Sequence, residues 1–434
     1  MNIGFNAGLP PGTRTFSRRE LLGLLASGAA GAALAPSLVS LLARNALAQS
    51  QGTKLADKRL ILLWLEGGPS QLETWDPKPG TATGGPTKGL ATDVPGWLLS
   101  ENFPSLAKRA GELAVVRTMN SKEGNHSRAR ALVHCGYTPN PTVAYPSLGS
   151  IVAHELGALE GDLPAFVQVN GAPISGGYLG IESSPFVVND PTGKIENLSY
   201  PGGVNEKRLD QREQIVDVLD KEFAKRGGTP AVDANKSERK RARRLMDSKL
   251  LAAFDLEQEK ESTRNAYGAG KFGQGVLLAR RLLEHGVSAV EVVLSGWDTH
   301  QDNFNRTKKL CDELDPAFAT LIDDLKRRKL LDDTLVVCMG EFGRTPDIAG
   351  NDGRNHWPGN WCVAMAGGGV KGGTAVGTTD ELGKKIADRP VAVAELFATF
   401  ARLLKIDGGK EFHAGLRPIH LIDPAGKAIP ELLA

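Results

Sequence analysis

Cysteine is scarce in this chain. Cys135, Cys311, Cys338 and Cys362 are the only four among 434 residues, and none stands in a C-x-x-C or other paired spacing. No thiolate zinc framework is therefore expected. Cys338 and Cys362 fall in apolar, strand-like runs and read as buried thiols. Net charge is also small, +2 from 52 basic and 50 acidic residues. Such a balance gives no electrostatic footprint for a nucleic-acid partner. Beyond residue 60 no apolar run is long enough to cross a membrane. Gly367-Gly368-Gly369 and Gly372-Gly373 lack the Lys-Ser/Thr that a phosphate loop needs, so they read as turns. No internal repeat is visible. What remains, 41% hydrophobic and 24% charged, is the composition of a globular protein with ample core.

The first residues carry an address. Ser17-Arg18-Arg19-Glu20-Leu21-Leu22 is a twin-arginine pattern, residues 21–43 are apolar and uncharged, and Ala46-Leu47-Ala48 is an A-x-A cleavage site. Together they predict a twin-arginine signal over residues 1–48, cut between Ala48 and Gln49. The twin-arginine translocase is then a transient partner, and the location is periplasmic or extracellular. Left uncut, the run is nearly long enough to serve as a membrane anchor.

Apolar runs at residues 59–65, 113–117, 165–169, 288–294, 334–339 and 361–365 read as buried strands. Helical patterns lie at 271–285, at 303–330 with a bend expected at Pro316, and at 389–404. The alternation predicts an α/β fold over 49–434: one domain with a mostly parallel sheet flanked by helices on both faces. Residues 77–97, rich in Gly, Pro and Thr, read as an irregular surface excursion. The region around 201–265 reads as a charged helical insertion. Its basic run from Lys236 to Arg244 is soon followed by acidic Asp255-Leu256-Glu257-Gln258-Glu259. This predicts a solvated, self-paired face rather than a site for an anionic partner.

In parallel α/β sheets, ligands gather beyond the carboxyl ends of the strands. Glu66 follows the first run, Asn125 and His126 follow the second, and Asp298 and His300 follow 288–294. Glu341 follows 334–339, and His356 precedes 361–365. In an extended segment Asp298 and His300, two apart, point to one side. Carboxylate oxygen with imidazole nitrogen suits Zn²⁺, Mn²⁺ or Fe better than Ca²⁺. Each residue also has a plainer reading. His300 would cap a helix, Glu341 would pair with Arg344, and His356 would pack beside Trp357.

Four blocks, in order, extend the reading: Glu66-Gly67-Gly68-Pro69-Ser70-Gln71 with Trp75-Asp76-Pro77-Lys78-Pro79; Asn125-His126-Ser127-Arg128-Ala129; Gly296 to His300; and Gly340 to Gly373. Covering the chain from about residue 60 onward, they resemble an exported bacterial family of unknown function, DUF1501. That family looks like a distant, sulfatase-like branch of the alkaline phosphatase superfamily. The resemblance implies an alkaline-phosphatase-like α/β fold, one or two divalent metals, and hydrolysis of phosphate or sulfate esters. It implies Asp298, His300 and His356 around one metal, and Glu66 and Glu341 as carboxylates of a second. The nucleophile would fall near Asn125-His126-Ser127.

The chain departs from the superfamily pattern in four places. Glu341-Phe342 stands where an Asp-His pair is usual, and Phe342 has no donor. The first strand ends in Glu66 where Asp is usual. Asn355 replaces an Asp before His356. No Cys-x-Pro-x-Arg is present, which excludes formylglycine chemistry. The expectation is a hydrolase with one Zn or Mn ion on Asp298, His300 and His356, with Glu341 as a further ligand. In a covalent mechanism Ser127 would attack, activated by the metal or by His126; in a direct one His126 or Glu66 would serve as general base. Arg344, Arg128 and the amides of Gly67 and Gly68 would hold the anion. The substrate would be a small anionic ester or a sulfated or phosphorylated glycan. The alternative is a non-catalytic module that binds an anion, a glycan or another protein.

Overall fold

The strand Arg59–Glu66 (β1) is buried along its interior. Its side chains alternate between two cores. Leu60, Leu62 and Trp64 enter one, and Ile61, Leu63 and Leu65 enter the other. A strand covered on both faces must be apolar at every position, which is why the run is continuous rather than alternating. The computed structural model describes residues 58–157, 163–193, 198, 200 and 202–434. The twin-arginine pattern and its cleavage site lie outside the described residues.

Eight further strands join β1 in one sheet: Leu113–Asn120 (β2), Phe166–Val169 (β3), Phe186–Val188 (β4), Ala289–Ser295 (β5), Thr334–Met339 (β6), Trp361–Ala366 (β7), Thr374–Val376 (β8) and Val391–Ala392 (β9). The order is β8-β2-β7-β6-β1-β5-β3-β4, with β9 also on β2. Every pairing is parallel except those of β7, which runs antiparallel to both β6 and β2. The six expected runs all form strands, and the sheet is mostly parallel as expected.

Helices cover both faces. His126–Cys135 (α1), Leu148–Leu156 (α2) and Val393–Leu403 (α8) pack on the face of Trp64. Lys271–Glu284 (α6) and Asn303–Arg327 (α7) pack on the face of Leu63. α7 continues through Pro316 as one helix. α8 starts four residues later than expected, because Val391–Ala392 pairs with β2 and Glu395 accepts from the Ala392 N–H at 3.0 Å. All four cysteines are buried and unbridged.

The charged region contains Glu206–Phe223 (α3), Thr229–Asp247 (α4) and Glu261–Tyr267 (α5). Its basic run does pair, but with different acids from those expected. Arg239 and Arg243 of α4 turn back to Asp220 and Asp210 of α3, at 2.8 and 2.5 Å. The later acidic stretch looks inward instead. Glu259 receives Arg280 at 2.9 Å and Arg281 at 2.6 Å. The packing of α4 on α3 brings the first set together, whereas residues 249–259 are held against α6, where Arg281 also bonds the carbonyls of Ala252 and Ala253.

Burial pushes the Glu259 carboxyl up, yet Arg280 and Arg281 hold it down at about 2. A folded-state value below the ordinary 4.5 stabilises the fold above that pH and loses the contribution as pH falls through about 2. Glu259→Gln should therefore cost about 2–4 kcal/mol in urea unfolding at pH 7. The gap to wild type should close as unfolding is repeated down to acid pH, and a gap that persists there would contradict the assignment.

Candidate metal centre

β1, β5 and β6 end side by side, with Glu66 level with Ser295 and Trp64 level with Met339. After Met339 the chain does not cross over. The loop at 340–360 stays at the carboxyl end of the sheet and re-enters as the reversed strand β7. Within it Gly343–Arg344 pairs with His356–Trp357, so that His356 lies opposite Arg344. Two glycines permit the close approach. A Cβ on Gly67, whose φ is 118°, would collide with the backbone nitrogen of Asp298, and one on Gly353 with the His300 carbonyl. Beneath the loop, Arg354 and Glu73 form an ion pair at 2.7 Å with both side chains fully buried. Asn303, at the start of α7, adds a hydrogen bond to Glu73 at 2.7 Å.

His126, His300 and His356 are thus brought around Asp298. Their Nε2 atoms lie 3.5, 3.1 and 3.4 Å from its Oδ1. His300 and His356 also face each other, Nε2 to Nε2, at 3.0 Å. The far nitrogen of each ring meets an acceptor. His126 Nδ1 is 2.7 Å from Glu341 Oε1, His300 Nδ1 is 3.1 Å from Asn355 Oδ1, and His356 Nδ1 is 2.8 Å from the Gly124 carbonyl. A carboxylate, an amide oxygen and a carbonyl can only accept. Each Nδ1 therefore carries the proton, and a neutral ring presents the Nε2 lone pair to the cluster.

Lone pairs so arranged repel unless a cation or proton lies among them. His126 Nε2 is buried and has no hydrogen-bond partner. A four-coordinate ion with ligands at ~2.0–2.1 Å spaces its donors by roughly 3.3 Å, and the separations above bracket that value. His126, Asp298 and His356 form a group able to hold a metal ion, their donor atoms within 4.8 Å of one another. His300 adjoins it.

Electrostatics keep Asp298 and His356 in ligand form and act on His126 in the other direction. Burial pushes Asp298 up, but the Arg344 hydrogen bond at 2.6 Å and its charge win, holding the carboxyl at about 2. Burial lowers His356, which favours its neutral form. The hydrogen bond that His126 donates to Glu341 raises the ring, favouring its protonated form where no cation is bound; the same carboxylate would strengthen the far nitrogen as a ligand.

Several expected site residues stand elsewhere. Glu341 is buried behind His126, its carboxylate accepting from the Gly67 N–H at 3.0 and 3.2 Å. The Gly67 amide is consequently not free for a substrate. Arg344 does not fit the anion-holding role. Its guanidinium is fully buried and spent on Asp298 and on the carbonyls of Gly67, Gly68 and Arg354. Arg128 turns away to Glu123 at 2.6 Å. Glu66 accepts from Ser295 Oγ at 2.7 Å and lies 3.8 Å from Arg130, outside the metal group. Ser127 is exposed on the first turn of α1, which Asn125 caps. Phe342 packs against His126 and His356 at 4.9 and 4.6 Å.

Beside the group opens a cleft of about 570 Å³ whose wall includes Glu66, Ser127, Arg130, Ser295 and Asp298. Arg130 is a cleft residue that sequence reasoning missed. The signal was present, since it stands one helical turn after His126. His126 as a donor atom was missed too, having been assigned to proton transfer.

A family model described as a protein of unknown function, DUF1501, matches residues 57–433. The chain belongs to the DUF1501 family. Solved structures with detectable likeness include the lipoteichoic acid synthase LtaP from Listeria monocytogenes, 11% identical, covering 83% of this chain and 75% of that one with a TM-score of 0.36. The C-terminal periplasmic domain of EcEptC from Escherichia coli, solved in complex with Zn, is 10% identical, with 84% and 92% covered and a TM-score of 0.36. Alkaline phosphatase from the Antarctic bacterium TAB5 is 15% identical, with 81% and 99% covered and a TM-score of 0.33. A comparison with curated proteins gives no match.

In this family member the His356 loop leans on Glu73. Removing that carboxylate strands a fully buried guanidinium. Glu73→Ala should lower unfolding stability by about 3–5 kcal/mol, read by denaturant titration. A loss below about 1 kcal/mol would mean the pair does not anchor the loop.

Proposed function

We propose that this protein is a metal-dependent hydrolase of phosphate or sulfate esters, with an alkaline-phosphatase-like fold. What carries the reading is the convergence of three Nε2 atoms on Asp298 with every Nδ1 held by an acceptor. His126, His300, His356 and Asp298 would hold one divalent ion, Zn²⁺ or Mn²⁺ by donor type. Such an ion, when bound, supplies electrophilic polarisation of an ester oxygen and offsets developing negative charge. Glu341 and Asn355 orient the rings behind it.

In the cleft, Arg130 and the amino end of α1 favour an anionic group. Ser127 stands at that end and is our candidate nucleophile. His126, tied to Glu341 and aimed at Asp298, is a ligand in this reading rather than a base. Glu66, hydrogen-bonded to Ser295, is left as the proton acceptor. The substrate class is a small anionic ester or an esterified glycan. We further propose that residues 1–48 export the chain through the twin-arginine translocase and that 49–434 act as one domain in the periplasm or outside the cell. No helix among the described residues is long and apolar enough to cross a membrane.

One feature favours a second reading, a non-catalytic module binding an anion, a glycan or another protein. Phe342 puts a packed ring where the family resemblance would expect a second metal's ligand.

Metal content by elemental mass spectrometry, after native purification and dialysis, separates the two. The expected result is about one transition metal per chain, lost in His126→Ala, His300→Ala and His356→Ala. Glu341→Gln should keep the fold and weaken metal affinity by about 10–100-fold. An empty, folded wild type that stays empty when metal is restored would sink the hydrolase reading. Ser127→Ala should retain metal and lose at least ~100-fold in turnover of a phosphate or sulfate monoester. Unchanged turnover would remove Ser127 as nucleophile.

A further inference from the structure

α3 is polarised the wrong way round for a surface helix. Ordinarily the apolar stripe faces the core and the charged stripe faces water. Here Glu206, Asp210, Glu213, Asp217 and Asp220, spaced by three or four residues, share one side. That side faces α4. Arg243 reaches Asp210, Glu213 and Glu206 at 2.5, 3.2 and 3.4 Å, and Arg239 reaches Asp220 and Asp217 at 2.8 and 3.5 Å. The opposite side carries Ile215, Val218, Leu219 and Phe223, exposed by 63, 61, 63 and 55%. No residue of α3 is buried. Toward the amino end, Arg208 and Arg212 continue the same outward stripe and Lys207 borders it, all of them exposed. Five of the six acids of α3 are turned toward α4 and paired there; the sixth, exposed Glu222, stands on the outward side with its charge matched by Lys225 at 2.7 Å. Apart from that ion pair, what faces out is apolar at one end and basic at the other.

We propose that the outward face of α3 docks on a lipid bilayer bearing anionic headgroups. Ile215, Val218, Leu219 and Phe223 would enter the headgroup–acyl boundary, and Lys207, Arg208 and Arg212 would meet the phosphates. The charge pattern selects this occupant over a second copy. A parallel copy sets the basic ends against each other, and an antiparallel copy sets each basic end against an apolar one. The stripe also offers on the order of 400 Å², about half of the ~800 Å² that each partner buries in a stable interface. The apolar run at residues 21–43 carries no charge and would leave the basic end unmatched. The proposal is independent of the metal site.

The test is vesicle co-sedimentation of the full-length chain. One set of vesicles holds phosphatidylglycerol and phosphatidylcholine in equal parts, and the other phosphatidylcholine alone. Two triple variants accompany wild type: Ile215→Ser with Leu219→Ser and Phe223→Ser, and Lys207→Glu with Arg208→Glu and Arg212→Glu. All six positions are exposed, and circular dichroism with melting checks the fold. Wild type should bind the anionic vesicles at least ~10-fold better than the neutral ones, with the preference falling in high salt. Each triple variant should lose at least ~10-fold in anionic binding. The proposal is overturned if wild type does not bind, or if either variant binds as wild type does. Stronger binding by the apolar variant would assign the stripe to residues 21–43. A dimer in sedimentation velocity, abolished by that variant without vesicle binding, would assign it to a second copy.

Discussion

An imidazole has one proton to place when neutral, and where it goes decides what the other nitrogen can do. At the carboxyl end of this sheet, Glu341, Asn355 and the Gly124 carbonyl each take an Nδ1 proton. Three acceptors, two on the loop at 340–360 and one just before α1, thereby turn three Nε2 lone pairs toward one carboxylate. The rings would not choose that arrangement in isolation, because lone pairs at about hydrogen-bond distance repel. It persists because the backbone holding each acceptor is itself fixed. Gly124 precedes the Asn125 cap of α1, Asn355 belongs to the pinned loop, and Glu341 is clasped by the Gly67 amide.

The reversal of β7 makes that possible. A parallel strand after β6 would need a crossover, which would carry the intervening residues to the far end of the sheet. Because β7 runs antiparallel to β6, the loop at 340–360 stays where β1 and β5 end. Arg344, Asn355 and His356 then face Asp298 and His300 directly, and Glu341 stands behind His126. One reversed strand converts a loop into the second wall of the centre, while the parallel core of β1, β5 and β6 supplies the first.

The sheet was legible in the sequence because a strand buried on both faces has no option but continuous apolarity; residues 59–65 could hardly read otherwise. Which strand ends carry chemistry was legible for the same reason, since polar residues cluster only where those runs stop. Partnerships were not. Glu341 and Arg344 are three apart and looked like a pair, yet Arg344 goes to Asp298 and Glu341 to His126. Arg239 and Arg243 likewise bypass the nearer acids at 255–259 for those of α3. Both choices depend on which segments the fold brings alongside, and no local spacing encodes that. The surroundings of His126 were hidden for a similar reason. A histidine opening a helix after Asn125 gives no sign of what its ring will meet, and the carboxylate of Glu341 comes behind it only through the fold.

Buried charge is concentrated behind the centre: Glu73, Glu341, Arg344 and Arg354 are all at or near zero exposure. Such pairs are poor stabilisers, because desolvation offsets most of their attraction, and apolar replacements of equal volume usually fold at least as well. Their virtue is directional. A guanidinium that bonds Asp298 and three carbonyls at once leaves the Asp298 carboxylate little freedom to rotate. Apolar packing, being non-directional, would leave that freedom intact. A fold that needed stability alone would have filled this space with leucine. One that needs four donor atoms held within a few ångströms of each other requires an oriented, fully bonded layer behind them, and that is what occupies the space here.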